Sequence, residues 1–156
     1  MLNIAQRCTN ADGVKFDSKT EMHFHAALTA MGVDFQFQVK EELIGPAVHK
    51  PKTQNEKFLL LPLLKDRGVE AICLTIDFVF VREGITYYVD TKGSKSHVKR
   101  DSKLRYEIWK HILVLRGRAT TSRILFISAA EVKTLGERAA YLKSEFWPCF
   151  DQIKER

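Results

Sequence analysis

The fold of this chain is decided by Thr75-Ile76-Asp77-Phe78-Val79-Phe80 and Tyr88-Val89-Asp90-Thr91-Lys92-Gly93. Both stretches are rich in β-branched and aromatic residues, and the turn Arg82-Glu83-Gly84 lies between them, so the sequence predicts two strands joined as a hairpin. Each strand carries an aspartate inside an otherwise apolar segment. A buried charge costs free energy unless it is paired or binds a metal ion, so these two acids are the strongest functional indication in the sequence.

The segments on either side of the hairpin predict an α/β order. Phe35, Phe37 and Val39 alternate with polar residues, which is the two-residue period of a half-buried strand. Gly32 is positioned to end the helix that precedes it. The sequence therefore predicts an α/β fold with a central mixed β-sheet flanked by helices, built from a helix over about 17–31, strands over about 35–40, 70–81 and 85–92, a helix over about 99–115, a strand over 123–128 and one or two helices from 129 onward.

The 156 residues are expected to form one domain, because a chain of this length buries an ordinary core without disulfides or structural metal. Residues 1–14 are expected to form an irregular N-terminal arm. The stretch 41–67 contains three prolines and a lysine-rich loop, so it is expected to form a loop-rich insertion.

Cysteine usage and hydropathy predict a soluble, cytoplasmic protein. Cys8, Cys73 and Cys149 are odd in number and include no CxxC pair, which favours reduced thiols over disulfides or a zinc site. The longest apolar stretch, residues 69–81, is too short to span a bilayer and contains two acids. No transmembrane segment is expected.

The positive charge is concentrated in one block. The chain carries a net charge of +6, and residues 92–118 contain nine basic residues against two acidic ones, so the rest of the chain is close to neutral. Lys and Arg gain free energy by displacing counterions from phosphates. A solvated helix face is the alternative reading of such a block. Its position next to the acids favours a polyanion, such as a nucleic acid, held over them.

Strand geometry indicates which side chains meet. Asp90 and Lys92 point to one face of their strand and Thr91 to the other, and Asp77 is expected to share a face with Thr75 and Val79. If the hairpin register opposes Asp77 and Asp90, their Cβ atoms lie about 5 Å apart, which is too close for two unpaired carboxylates. A divalent cation removes this repulsion. Carboxylate oxygens favour Mg²⁺ or Mn²⁺, and Mg²⁺ keeps waters that are able to attack a phosphate.

Glu21 is the third candidate acid. Ser18-x-x-Glu21 is a capping box, in which the glutamate turns back to the helix N-terminus and performs no chemistry. Glu21 also falls on the helix face of Phe24, Leu28 and Met31, the apolar stripe that contacts the sheet. We expect an inward carboxylate with a functional role, and one residue in an N-terminal turn is able to do both.

These residues carry a resemblance to a known family. A Glu on the first helix, an Asp on one strand and Asp-x-Lys on the next resemble the PD-(D/E)XK nuclease superfamily. Lys15-Phe16-Asp17-Ser18-Lys19-x-Glu21 with the later Asp-x-Lys-Gly is similar to small phage-encoded Holliday-junction resolvases and recombination endonucleases, over about residues 15–115. The resemblance implies a restriction-endonuclease-like core and phosphodiester cleavage with one or two Mg²⁺ ions, for which Mn²⁺ substitutes.

The resemblance also implies residue roles. Asp77, Asp90 and the Thr91 carbonyl would bind the metal, and Lys92 would orient or deprotonate the attacking water. Glu21 would complete the metal shell or bind a coordinated water. The chain departs from the family pattern at Ile76, where proline is usual, and at Asp90, where Glu is more frequent. Because the Asp90 side chain is shorter than that of Glu, the motif is compatible with either one or two bound metal ions.

The expected substrate is DNA, gripped through its phosphates. The sequence contains no recognisable base-reading module, which favours structure-selective cutting of branched DNA, and symmetric cutting of a junction implies a homodimer. The alternatives are a catalytically silent DNA-binding protein on the same fold and a nuclease that acts on linear duplex DNA or on RNA. The residues expected to contact phosphates are Lys95, Lys99, Arg100, Lys103 and Arg105.

Overall fold

The computed structural model of the chain describes residues 7–45, 71–93 and 100–154. These residues form six strands and four α-helices. The strands are β1 (Cys8–Thr9), β2 (Lys15–Phe16), β3 (Phe35–Ile44), β4 (Ile72–Arg82), β5 (Ile85–Lys92) and β6 (Ser122–Ser128). The helices are α1 (Lys19–Ala30), α2 (Arg100–Leu115), α3 (Ala129–Tyr141) and α4 (Phe146–Asp151), with short 3₁₀ turns at Ala119–Thr121 and Lys143–Glu145.

The central sheet has four strands in the order β3-β4-β5-β6. β3, β4 and β5 pair antiparallel, and β6 pairs parallel to β5. The parallel pair is connected through α2, because parallel neighbours need a crossover. The predicted mixed α/β fold is confirmed.

Two sequence-based boundaries were wrong. Within the described part of the 1–14 arm, β1 pairs antiparallel with β2. The turn between them is ordered because Asn10 Oδ1 accepts hydrogen bonds from the N–H groups of Asp12 and Val14, at 3.1 and 2.9 Å. β3 also continues to Ile44, into the predicted 41–67 insertion, since β4 continues to pair with it as far as Ile72. The rest of that insertion lies outside the described residues.

Helices cover both faces of the sheet. On one face α1, α3 and α4 bury a cluster that includes Phe24, Phe78 and Phe146. On the other face α2 buries Trp109 and Leu113 against the sheet. No helix in the described part of the chain is long and apolar enough to cross a membrane.

The strand β4 changes faces at Asp77. Ile76 packs on the α2 face, whereas Phe78, two residues later, packs on the α1 face. In a regular strand these two residues would share a face. The ladders on both sides omit Asp77, and Gln38, its neighbour in the β3 register, has a positive φ of 52°. The expectation that Asp77 shares one face with Thr75 and Val79 was therefore wrong, because the irregularity places those two residues on opposite faces.

Candidate active site

Asp77 and Asp90 lie where the β4–β5 ladder opens. The last backbone pair is Phe78 with Val89, so the two aspartates would be the next pair in the same register. Instead, Asp77 Oδ2 accepts hydrogen bonds from the N–H and Oγ1 of Thr91, at 2.7 and 2.9 Å. The carboxylate therefore takes the place of a backbone acceptor, which holds it between the two strands.

Thr91 is buried at this opening, with 5% of its surface exposed. In an extended strand the N–H and C=O of one residue leave the backbone on the same side. Since the Thr91 N–H points to Asp77, the Thr91 carbonyl also faces the opening. This orientation is compatible with the metal-ligand role that the family resemblance implies for that carbonyl.

Asp90 and Lys92 form an ion pair on the other face of β5. Lys92 Nζ lies 2.6 Å from Asp90 Oδ2, as their shared face predicted. Asp90 is almost fully buried, whereas a quarter of the Lys92 side chain is exposed. This contact is short, but Asp90 Oδ2 has no hydrogen bond of good geometry. The Lys92 charge therefore stabilises a buried carboxylate oxygen that has no well-formed hydrogen bond.

Asp90 is buried beside a second carboxylate, which disfavours its ionised form. Burial, and then the charge of Asp77, raise the pKa of Asp90 to about 8, although Lys92 opposes the shift. A bound divalent cation would favour the ionised form of both acids. The closeness of the two acids and the buried Asp90 oxygen without a well-formed hydrogen bond fit a metal site.

Glu21 lies near Asp77 and also caps α1. Glu21 is 6% exposed, and burial followed by the charge of Asp77 raises its pKa. Its N–H donates to Ser18 Oγ at 3.2 Å, as predicted for the cap. The return bonds differ from a strict capping box, because the carboxylate accepts from Ser18 Oγ at 3.0 Å and from the Asp17 N–H at 3.1 Å. Both of its oxygens are occupied by the helix N-terminus.

The possible metal ligands are few. Across residues 7–45, 71–93 and 100–154, no group of three or more His, Cys, Asp or Glu side chains is placed to hold a metal ion together. Mg²⁺ keeps several of its waters and is often bound through one or two carboxylates. Asp77 and Asp90, with the Thr91 carbonyl, would therefore hold such an ion, and Glu21 would reach it through water.

Tyr106 is a candidate functional residue that the sequence did not reveal. It lies on α2, is 2% exposed, and its hydroxyl has no hydrogen bond of good geometry. Burial first, and then the charge of Asp90, raise the pKa of this hydroxyl. The sequence pattern that could have identified Tyr106 is the apolar stripe of α2, in which Tyr106 is followed by Trp109 and Leu113. This stripe packs on the sheet face that bears Asp90.

The predicted phosphate contacts are only partly described. Lys103 is exposed near the start of α2. Arg105 is also exposed, and its Nη1 donates to the Cys73 carbonyl at 2.8 Å, which fixes the guanidinium beside β4. Arg100 begins α2, while Lys95 and Lys99 lie outside the described residues.

Comparison of the chain with family models, with curated proteins and with solved structures gives no match. Membership of the nuclease superfamily therefore stays a prediction that depends on the motif residues. The function proposed below depends on that prediction and on the geometry of the site.

Proposed function

We propose that this chain is a Mg²⁺-dependent endonuclease that hydrolyses phosphodiester bonds in DNA, with a preference for branched substrates such as Holliday junctions. The observation that supports it most is the pairing of Asp90 with Lys92 at 2.6 Å, beside Asp77, at the opening of the β4–β5 ladder. A buried carboxylate and a half-buried one, next to a partly exposed lysine, suit a reaction in which charge builds on a phosphate.

Each residue has a separable role in this proposal. Thr91 orients Asp77 through two hydrogen bonds, and Asp90 holds the Lys92 ammonium at the edge of the site. A bound divalent ion would polarise the scissile phosphate and lower the pKa of a bound water. Lys92 would orient or deprotonate the attacking water and stabilise negative charge on the pentavalent phosphorus.

The start of α2 supplies the proposed grip on the substrate. Lys103 and Arg105 are exposed there, and the Arg105 hydrogen bond to Cys73 restricts its side chain. The sequence predicts further phosphate contacts from Lys95, Lys99 and Arg100. Contacts to phosphates fix position without reading sequence, which agrees with structure-selective cutting.

A catalytically silent DNA-binding protein is the second candidate. Glu21 favours it, because both carboxylate oxygens of this residue already accept hydrogen bonds from the α1 N-terminus. A nuclease that needs Glu21 as a direct metal ligand would have to use the remaining lone pairs of these oxygens or break that cap. The first proposal requires that Asp77 and Asp90 suffice as the direct carboxylate ligands.

A cleavage assay distinguishes these candidates. Labelled four-way junction, linear duplex, single-stranded DNA and duplex RNA would be incubated with Mg²⁺, Mn²⁺, Ca²⁺ or EDTA, using wild type, Asp90→Asn and Lys92→Ala. Glu137→Gln is the matched control, because it removes an exposed acid on α3. We expect Mg²⁺- and Mn²⁺-dependent cutting of the junction by wild type and control. Both site variants should lose at least about a hundredfold in rate while still binding DNA.

The opposite results are equally informative. Junction binding without cutting under any metal would replace the nuclease with the silent binding protein. Equal cutting of linear duplex would remove the preference for branched DNA, and faster cutting of RNA would change the substrate. Wild-type rates in Asp90→Asn would place the chemistry elsewhere.

A further inference from the structure

A second group of basic residues lies at the end of α2, away from the acidic pair. Arg116 and Arg118 flank Gly117, whose φ is +66°. The N–H of Gly117 donates to the Val114 carbonyl at 2.9 Å, and that of Arg118 donates to the Leu113 carbonyl at 2.8 Å. This glycine-terminated helix end fixes the backbone of both arginines.

The two arginine side chains keep their positive charge available. Arg116 lies over the Trp109 ring, 5.5 Å from its centre, and Arg118 Nη2 lies 3.4 Å from Thr86 Oγ1. Neither arginine pairs with a carboxylate in the described part of the chain. Cations at a helix C-terminus interact favourably with the helix dipole, but that effect is small and screened by salt.

One further basic residue borders the same region. Lys110 lines a cleft of about 340 Å³ beside the end of α2. Glu107 pairs with Lys110 at 2.8 Å and offsets one of the charges. Lys110, Arg116 and Arg118 are named here the distal basic surface.

The distance between the candidate active site and the distal basic surface matches the length of a short duplex arm. An α-helix rises 1.5 Å per residue, so Arg116 lies about 20 Å along α2 from Lys103. The strand β5 gives a similar distance. Arg118 contacts Thr86 near the start of this strand, and Lys92 ends the strand about 20 Å away. Duplex DNA rises about 3.4 Å per base pair, so this length corresponds to about six base pairs.

We propose that the distal basic surface binds phosphates of a duplex arm about six base pairs from the cut. This inference rests on the proposed nuclease function and extends its footprint. A second copy of the chain is the less favourable occupant, because a twofold contact would bring this surface against itself and oppose like charges.

The test compares DNA arms of two lengths. Junctions with arms of about 5 and about 14 base pairs would be titrated by fluorescence anisotropy over a range of salt, with Ca²⁺ in place of Mg²⁺. The variant is Arg116→Gln with Arg118→Gln. Its control is Lys133→Gln with Lys154→Gln, which removes the same charge from exposed positions in and near α3 and α4, the helices on the opposite face.

For wild type and control we expect a steeper salt dependence on the long arms than on the short ones. The arginine variant should lose about two units of log–log salt slope on the long arms and none on the short arms.

Unchanged slopes in a variant that still binds and cuts the junction would overturn this inference and leave the nuclease intact. A wild-type protein that binds no DNA would overturn both. A wild-type dimer that the arginine variant converts to a monomer would assign the surface to a subunit contact and overturn the inference.

Discussion

At the scale of single residues, the proposed chemistry depends on a carboxyl group that the fold keeps away from water. Asp90 is 3% exposed and has a raised pKa, caused first by burial and then by Asp77. A raised carboxyl pKa means that the folded protein holds a proton that the unfolded chain releases. Without metal, the free energy of unfolding therefore falls as pH rises from the unfolded pKa near 4 to the folded value of about 8.

Asp90→Asn should remove this pH dependence, because asparagine has no charge to bury. In EDTA, Asp90→Asn should gain stability relative to wild type as pH rises. We expect its free energy of unfolding, taken relative to wild type, to be about 3–4 kcal/mol higher at about pH 8 than at about pH 5. Urea denaturation at the two pH values measures this. If the variant and wild type differed in free energy of unfolding by the same amount at both pH values, Asp90 would not be the buried group that titrates.

Tyr106→Phe should leave the metal-free fold intact or stabilise it slightly. Its hydroxyl is buried without a well-formed hydrogen bond, and such a group costs about 1–3 kcal/mol. We expect a gain of roughly 1 kcal/mol in urea denaturation with EDTA. A loss of more than about 1 kcal/mol would show that the hydroxyl has a stabilising partner, for which the Asp90 carboxylate is the nearest candidate.

At the scale of secondary structure, the site exists because β4 and β5 separate at Asp77. Thr91 joins the two strands there through its hydrogen bonds to Asp77 Oδ2. Thr91→Val keeps the side-chain shape and removes only the hydroxyl bond. We expect a loss of about 1.5–3 kcal/mol in free energy of unfolding, since the acceptor is charged. Thr120→Val, at an exposed threonine, is the control, and equal effects of the two substitutions would contradict the role of Thr91.

The order of strands and helices could be predicted because hydrophobic periodicity is a local property. The shared face of Asp90 and Lys92 followed from the same periodicity, and it was confirmed. The change of faces at Asp77 could not be predicted, because it depends on the partner strand, where Gln38 has a positive φ. Tyr106 was missed for a similar reason, since only the packing of α2 on the sheet brings its hydroxyl to Asp90.

At the scale of the whole molecule, the charge block at residues 92–118 begins beside the acidic pair and follows α2 to its far end. Symmetric cutting of a four-way junction would require two such sites related by a twofold axis. Light scattering should therefore give about twice the chain mass of 17.9 kDa. A monomer, both free and bound to a junction, would count against a resolvase and leave a nuclease possible.

The most direct measurement of the central claim, that Asp77 and Asp90 form one divalent-cation site, is calorimetric titration of Mg²⁺ in two buffers with different ionisation heats. Wild type and Glu137→Gln should bind Mg²⁺ and release protons near neutral pH, because the cation favours the ionised form of Asp90. Asp77→Asn and Asp90→Asn should each weaken binding by at least about tenfold. The absence of Mg²⁺ binding to wild type, or unchanged binding in both asparagine variants, would contradict the claim.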